Sequence, residues 1–211
     1  SSFGAVLNNT TVSHTGSSRR WDPVRRRMYR FRENTTPRDL LYEVIGTDGR
    51  VGQIIESPYN GEYSFVPPIL VSPDGNRIVI GSGVVFNATG LTHITTLPIT
   101  PADGIWLGTS FHSIHPDGNR TAVWSWNASL SFSQPSTPLQ GTPLRILPLS
   151  NGYAVITSIN GYPSIHLRTA SPYQSPVKPL APRTPAVRTR SSTSVSLTSV
   201  SYTHLTLPTK A

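Results

Sequence analysis

The sequence predicts an all-β protein, and three observations on residues 1–169 support that prediction. Short runs rich in Val, Ile, Thr, Tyr and Phe recur about every ten residues, and Gly, Pro and Asx-Gly turns separate them. No segment has the apolar period of about 3.6 residues that marks an amphipathic helix. The strands that open successive units start near Ile69, Ile105 and Leu144, at spacings of 36 and 39 residues. Four short antiparallel strands in a unit of about 40 residues are the repeat of a β-propeller blade.

The first two blades are expected near residues 20–58 and 69–98. In the first, the predicted strands are Arg27–Glu33, Asp39–Ile45 and Val51–Glu56. In the second, the tetrapeptide Ser72–Gly75 (Ser-Pro-Asp-Gly) predicts a turn, because Pro presets one backbone dihedral and Gly tolerates positive φ. The strands predicted around it are Ile69–Val71, Arg77–Ile80, Val84–Phe86 and Thr92–Leu97.

A third blade is expected near residues 104–133, and residues 143–169 are expected to start a further one. The predicted strands are Ile105–Leu107, Phe111–His115, Thr121–Trp126, Leu130–Phe132, Leu144–Leu147, Tyr153–Ile159 and Ser164–Leu167, with a turn at Pro116–Asn119. A β-sandwich uses similar turns, but it does not require the fourfold strand count to recur at this spacing. The sequence therefore predicts a partial β-propeller of about three four-stranded antiparallel blades.

One blade carries a family resemblance. The segment Val71–Pro98 joins the Ser-Pro-Asp-Gly turn to a Val/Ile-rich strand and then to a strand that ends in a small apolar run. It resembles the repeat of bacterial YVTN-type and PD40/TolB-type β-propellers. Asn87 stands where that repeat usually has Asp, and Gly81-Ser82-Gly83 replaces its Tyr-Val-Thr-Asn stretch. The resemblance implies a bacterial propeller architecture and no particular activity.

The C-terminal residues differ in composition from the rest of the chain. Residues 170–199 contain five prolines, many Ser and Thr and no apolar period, so we expect a disordered tail or out-of-frame translation. Val200–Thr209 reads VSYTHLTLPT and resembles a translated sequencing adapter, so residues 200–211 are interpreted as adapter-derived. The formal charge of the chain is +8, but residues 170–211 contribute five basic and no acidic residues to it.

Several kinds of chemistry find no support in the motifs. The chain has no cysteine, so it can form neither a disulfide nor a thiolate metal site. Asp48, Asp74 and Asp117 each precede Gly in a turn, which favours a turn-capping role over catalysis. On a strand, His112 and His115 would lie on opposite faces and could not share a metal ion. We predict no catalytic residue, no metal and no cofactor.

The loop Ser57–Pro68 is the predicted ligand-binding region, because it is unusually aromatic for a solvated turn. Arg38 would approach it from a neighbouring loop and add a cation beside the rings. The predicted ligand-binding residues are Arg38, Tyr59, Glu62, Tyr63 and Phe65. In the alternative interpretation, the aromatic side chains fold back into the gap between two blades.

An arginine cluster between Arg19 and Arg38 is the strongest local charge feature. It would suit an anionic partner, but a solvated face whose stems cover apolar surface is the favoured interpretation, since no set of base-stacking aromatics accompanies it. We therefore predict no nucleic-acid partner.

The predicted function is a non-catalytic binding or interaction module of an extracytoplasmic bacterial β-propeller protein. Two alternatives stay open: a propeller enzyme, such as a lactonase-like hydrolase or a lyase, and a structural repeat region of a large surface protein. The chain begins at Ser1 without a signal segment or a run long enough to span a bilayer. We expect a fragment whose partners include an unknown ligand or protein and missing blades of the same chain, and we favour a periplasmic or extracellular location.

Overall fold

The computed structural model describes residues 18–32, 36–131 and 133–169. These residues form sixteen β-strands and no helix, in four antiparallel sheets arranged as a β-propeller. The predicted fold class is thus confirmed. The interpretations of residues 170–199 and 200–211 concern positions outside the described residues.

The first sheet has the strand order β1-β2-β3-β4. Its strands are β1 (Arg19–Asp22), β2 (Arg27–Phe31), β3 (Leu40–Ile45) and β4 (Val51–Glu56). The sequence pattern does not predict β1, because its RRWD segment lacks apolar alternation. It is a strand because it pairs with β2 along its length, with Arg20 opposite Tyr29 and Trp21 opposite Met28.

The second sheet repeats this order with shorter strands. They are β5 (Ile69–Val71), β6 (Arg77–Ile80), β7 (Val84–Asn87) and β8 (His93–Thr96). The Ser-Pro-Asp-Gly segment forms the predicted turn between β5 and β6. There the Asp74 carboxylate accepts hydrogen bonds from the Ser72 hydroxyl and the Asn76 backbone N–H, the latter at 3.0 Å. These contacts hold the pKa of Asp74 below its usual value, although partial burial acts in the opposite direction.

The third sheet departs from the predicted strand limits at two places. It contains β9 (Asp103–Leu107), β10 (Ser110–Asp117), β11 (Arg120–Trp126) and β12 (Ser133–Pro135), and β13 (Leu139–Gln140) also pairs with β11. The predicted strand Leu130–Phe132 is wrong at Leu130, which has a φ of 59° in a turn closed by its N–H to the Asn127 carbonyl. The predicted turn Pro116–Asn119 contracts to two residues because Asp117 pairs with Arg120.

A fourth sheet makes the predicted blade count slightly low. It consists of β14 (Thr142–Leu149), β15 (Gly152–Ile159) and β16 (Tyr162–Thr169), each eight residues long. The described propeller therefore has three sheets with at least four strands and a fourth sheet with three.

Neighbouring sheets are held together by apolar side chains that alternate along their strands. Tyr29, Phe31 and Tyr42 of the first sheet pack with Ile78 and Phe86 of the second. The next two layers consist of Leu70, Val79, Val85, Phe111 and Trp126 between sheets two and three, and of Ile114, Val123, Ile146, Tyr153 and Val155 between sheets three and four. No helix in the described residues is long and apolar enough to span a membrane.

Three buried or partly buried histidines make the stability sensitive to acid. Burial lowers the pKa of His112, His115 and His166 below the usual value. The unfolded chain then binds protons at a higher pH than the folded chain, so acidification favours unfolding. The free energy of unfolding should fall as the pH drops below about 6.5, the ordinary histidine pKa.

His112 offers the sharpest check of this pH dependence. Its ring nitrogen Nδ1 lies 2.9 Å from the Ser125 hydroxyl, and its ring lies 5.0 Å from that of Tyr153. We expect His112→Gln to reduce the slope of stability against pH between pH 6.5 and 5, measured by urea unfolding at several pH values. An unchanged slope would show that His112 does not contribute.

Candidate functional site

A cavity of about 520 Å³ lies where the innermost strands of the four sheets meet. It is bordered by β1, β5, β9 and β14, together with the turns that follow β1 and β5. Because each blade supplies one strand, side chains distant in sequence share one chamber. The polar and aromatic residues of this axial cavity are Arg20, Trp21, Asp22, Ser72, Asp103, Trp106 and Arg145.

Asp103 fixes the wall of the axial cavity between sheets three and four. Its Oδ1 accepts a hydrogen bond of 2.9 Å from the Gly104 backbone, and its Oδ2 accepts one of 3.1 Å from the Ile146 backbone. Arg145 Nη1 lies 3.6 Å from the same Oδ2. The carboxylate therefore joins the two innermost strands β9 and β14 and orients Arg145.

Gly104 permits a close approach of sheets two and three beside the cavity. A Cβ at that position would lie 2.7 Å from the Phe111 ring and 2.9 Å from Leu70. These separations are too short for a carbon contact, so the position admits no larger residue without displacing its neighbours.

Two polar atoms at the cavity have no hydrogen-bond partner among the described residues: Asp22 Oδ2 and Trp106 Nε1. Asp22 uses its other oxygen to accept the backbone N–H groups of Val24 and Arg25, at 2.9 and 3.2 Å. The Trp106 ring packs on Phe111 with a centroid distance of 4.9 Å. Both atoms are buried, so the described residues leave one acceptor and one donor unsatisfied beside the cavity.

The cavity also presents cations and exposed aromatic surface. Arg20 is exposed and forms no ion pair within the described residues, while the Arg145 side chain stays 68% exposed despite its contact with Asp103. Trp21 is 38% exposed. Guanidinium groups bind carboxylates and phosphates, and indole rings pack against flat apolar groups. No group of three potential metal-ligating side chains occurs in the part of the chain that the structure describes.

The predicted loop residues are divided between a buried cluster and the surface. Phe65 is buried and stacks on Phe86, with centroids 5.9 Å apart. Tyr59 and Tyr63 are half-buried and pack against the core between sheets one and two. The Tyr59 hydroxyl accepts a 2.7 Å hydrogen bond from the His93 backbone. This aromatic cluster therefore fastens the loop to the outer strands β7 and β8.

Glu62 and Arg38 are exposed and lie in adjacent loops. A Cβ at Gly61 would lie 2.7 Å from the Pro37 Cβ and 3.5 Å from the Arg38 carbonyl oxygen, so the two loops touch. The Arg38 backbone therefore lies beside this loop. Whether the five residues Arg38, Tyr59, Glu62, Tyr63 and Phe65 bind a ligand stays a prediction.

Most members of the arginine cluster make contacts within the protein. Arg25 donates to the Gly75 carbonyl and to Asn76 Oδ1, which links the β1–β2 turn to the second sheet. Arg27 donates to the Ala88 carbonyl and lies 3.9 Å over the Tyr42 ring. The remaining contacts of the cluster join Arg26 to the Ile45 carbonyl, Arg30 to Glu43 and Arg32 to Glu56.

The sequence pattern does not reveal the axial cavity. Arg20 and Trp21 lie on β1, a strand without apolar alternation, and Arg145 lies in a strand whose pattern does not distinguish it from the others. The position of these residues in the repeat is the one sequence feature that points to the cavity. The first strand of every blade lies next to the propeller axis, so polar and aromatic residues on the first strands are expected to lie close together.

A scan against models of known protein families finds no match for this chain, and a search of curated proteins finds no significant match.

Proposed function

We propose that the protein is a non-catalytic binding module and that its axial cavity takes a small ligand with an anionic group and a flat apolar part. The observation that carries this proposal is the combination of Arg20, Arg145, Trp21 and Trp106 around one chamber of about 520 Å³. Guanidinium groups would bind the anion, and the indole rings would contact the flat part.

The carboxylates in the cavity favour binding over catalysis. Asp103 is occupied by two backbone N–H groups and Arg145, and Asp22 caps its own turn. A general acid or base needs a carboxyl group that is free to exchange a proton with the substrate. A lactonase-like hydrolase or lyase is therefore the less favoured function, and a structural repeat region stays a further alternative.

The source and location of the protein also belong to this proposal. The repeat at Val71–Pro98 supports a bacterial propeller of the YVTN or PD40/TolB type. With the same bacterial propeller type we propose a location in the periplasm or outside the cell. The adapter-like origin of residues 200–211 stays a prediction.

A matched pair of probes tests the proposed ligand class. We expect 2-naphthalenesulfonate to quench the tryptophan fluorescence with saturable binding and the neutral 2-naphthalenesulfonamide to bind more weakly. Arg20→Gln should weaken sulfonate binding at least tenfold, which corresponds to about 1.4 kcal/mol. The thermal unfolding midpoint should not change, because Arg20 is exposed.

Arg38→Gln provides the control, since Arg38 is an exposed arginine in the predicted loop site. Its affinity for the sulfonate should equal that of the unchanged protein. If Arg38→Gln weakens binding and Arg20→Gln does not, the ligand binds at the loop and the axial cavity is not the site.

A further inference from the structure

The outer edge of β16 differs from the corresponding edge in the other sheets. In the first three sheets the third strand pairs with a fourth, as β3 does with β4, β7 with β8 and β11 with β12. In the fourth sheet β16 occupies the third position, and none of the described residues pairs with its outer edge. An unpaired strand edge is a template for pairing with another chain.

The hairpin register shows which backbone groups of β16 point outward. Asn160 and Gly161 form a two-residue turn, and Ile159 and Tyr162 face each other beside it. Such a closing pair is hydrogen-bonded, and the pairs then alternate along the ladder. The N–H and C=O groups of Ile165, Leu167 and Thr169 therefore point away from β15. Pro163 occupies the first outward position and has no N–H to offer.

The side chains at these outward positions form an apolar surface. Ile165 and Leu167 are 66% and 67% exposed, and they lie on the face of the sheet that is turned away from the third sheet. Leu147 is 46% exposed and adjoins them, because Leu147 and Leu167 both pair with Ala154. Edge strands are usually protected by charges or by proline. Pro163 protects only the first outward position of β16, and between Ser164 and Thr169 the one charged residue is Arg168, which lies on the opposite face.

We propose that β16 pairs antiparallel with β16 of a second copy of this chain, about a two-fold axis at Leu167. Leu167 then faces Leu167 of the other copy, and Ile165 faces Thr169. Each of these pairs is outward-pointing on both strands, so each exchanges two backbone hydrogen bonds. In this register the Pro163 of each copy does not pair with Ile165, Leu167 or Thr169 of the other copy. The two three-stranded sheets become one continuous sheet, and their apolar surfaces adjoin.

The choice of a second copy rests on the self-complementarity of this edge. About a two-fold axis, the same set of residues on each copy must pair with itself. The outward positions 165, 167 and 169 can pair in this way, and none of them carries a charge. The Arg168 side chains of the two copies lie on the same face, and salt screens their repulsion. Added salt should therefore strengthen the dimer, whereas an ion-paired interface would weaken.

Leu167→Pro tests the pairing because the Leu167 N–H points outward and takes no part in the β15–β16 ladder. Analytical ultracentrifugation of the full chain should show a concentration-dependent dimer, and Leu167→Pro should raise its dissociation constant at least tenfold. Leu167→Thr keeps the N–H and removes the apolar side chain, and it should give a smaller increase. A chain that stays monomeric at hundreds of micromolar overturns the proposal, as does a dimer that Leu167→Pro leaves unchanged.

A cysteine cross-link covers the case in which Leu167→Pro fails to fold. The chain has no cysteine, so a single introduced thiol reports one contact. Opposed residues in a hydrogen-bonded antiparallel pair have Cα atoms about 5.5 Å apart, a distance that a disulfide can span. Leu167→Cys should cross-link two copies under mild oxidation. Ile94→Cys, an exposed position on β8, should not; equal yields from both variants would overturn the proposal.

Discussion

Replacing both Tyr59 and Tyr63 by alanine should lower the free energy of unfolding by about 3 kcal/mol or more, the usual scale for emptying buried aromatic positions. The two rings meet edge-on with their centroids 4.9 Å apart. Both also contact the Phe86 ring, with centroid distances of 6.1 Å for Tyr59 and 5.6 Å for Tyr63. Tyr63 also stacks on the His93 ring at 4.9 Å. Their removal would leave Phe65 as the remaining aromatic contact between the loop 57–68 and Phe86 of the second sheet. Urea unfolding followed by circular dichroism measures the change.

The conservative control is Tyr59→Phe, which removes only the acceptor of the His93 backbone N–H. It should cost about 0.5–1.5 kcal/mol, as one hydrogen bond does. If the double alanine variant keeps its stability and loses affinity for 2-naphthalenesulfonate, the two tyrosines are ligand contacts and the loop is the binding surface.

Glu43→Ala should destabilise the protein by about 3–5 kcal/mol, because it removes a largely buried carboxylate that forms an ion pair with the Arg30 guanidinium. Arg30 Nη2 and Nε lie 3.0 and 3.3 Å from Glu43 Oε1, and the two side chains are only 3% and 12% exposed. The pair lies across β2 and β3, on the face opposite the core that contains Tyr29 and Phe31. Chemical unfolding of the single variant gives the cost directly.

The double change Arg30→Met with Glu43→Leu distinguishes a buried charge from lost packing. Because it removes both charges and keeps similar volume, it should recover most of the stability that Glu43→Ala loses. A double variant as unstable as the single one would show that shape, not charge, makes this position sensitive. Arg32→Ala removes a more exposed ion pair with Glu56 and should cost less than Glu43→Ala.

Local sequence was sufficient for strands with clear alternation or strong turns. Val51–Glu56 and Ile69–Val71 have the limits that their apolar pattern predicted. Local sequence was not sufficient for β1 and β12, whose RRWD and SQP segments have no apolar face. These lie at sheet edges and are strands because β2 and β11 offer them a hydrogen-bond ladder. Edge strands need that ladder more than they need a hydrophobic pattern.

The candidate site shows the same division. Aromatic residues within twelve positions of each other could be recognised as one loop, but their inward packing depends on Phe86 and His93 in another blade. Arg20 and Arg145 could not be joined by any short-range pattern, since 125 positions separate them in the sequence. They share a cavity because each begins a different blade.

The sequence by itself determined that the chain is all-β, where most turns fall and that its blades follow a period of about 40 residues. Those features depend on alternation and on local backbone preferences, which act over a few residues. Only the tertiary structure decided which side chains line the axis, which arginines are taken up by carbonyl groups and carboxylates, and which face of the fourth sheet stays exposed. The physical reason is that the innermost strands come together only when the blades pack against each other, and local backbone preferences do not determine that packing.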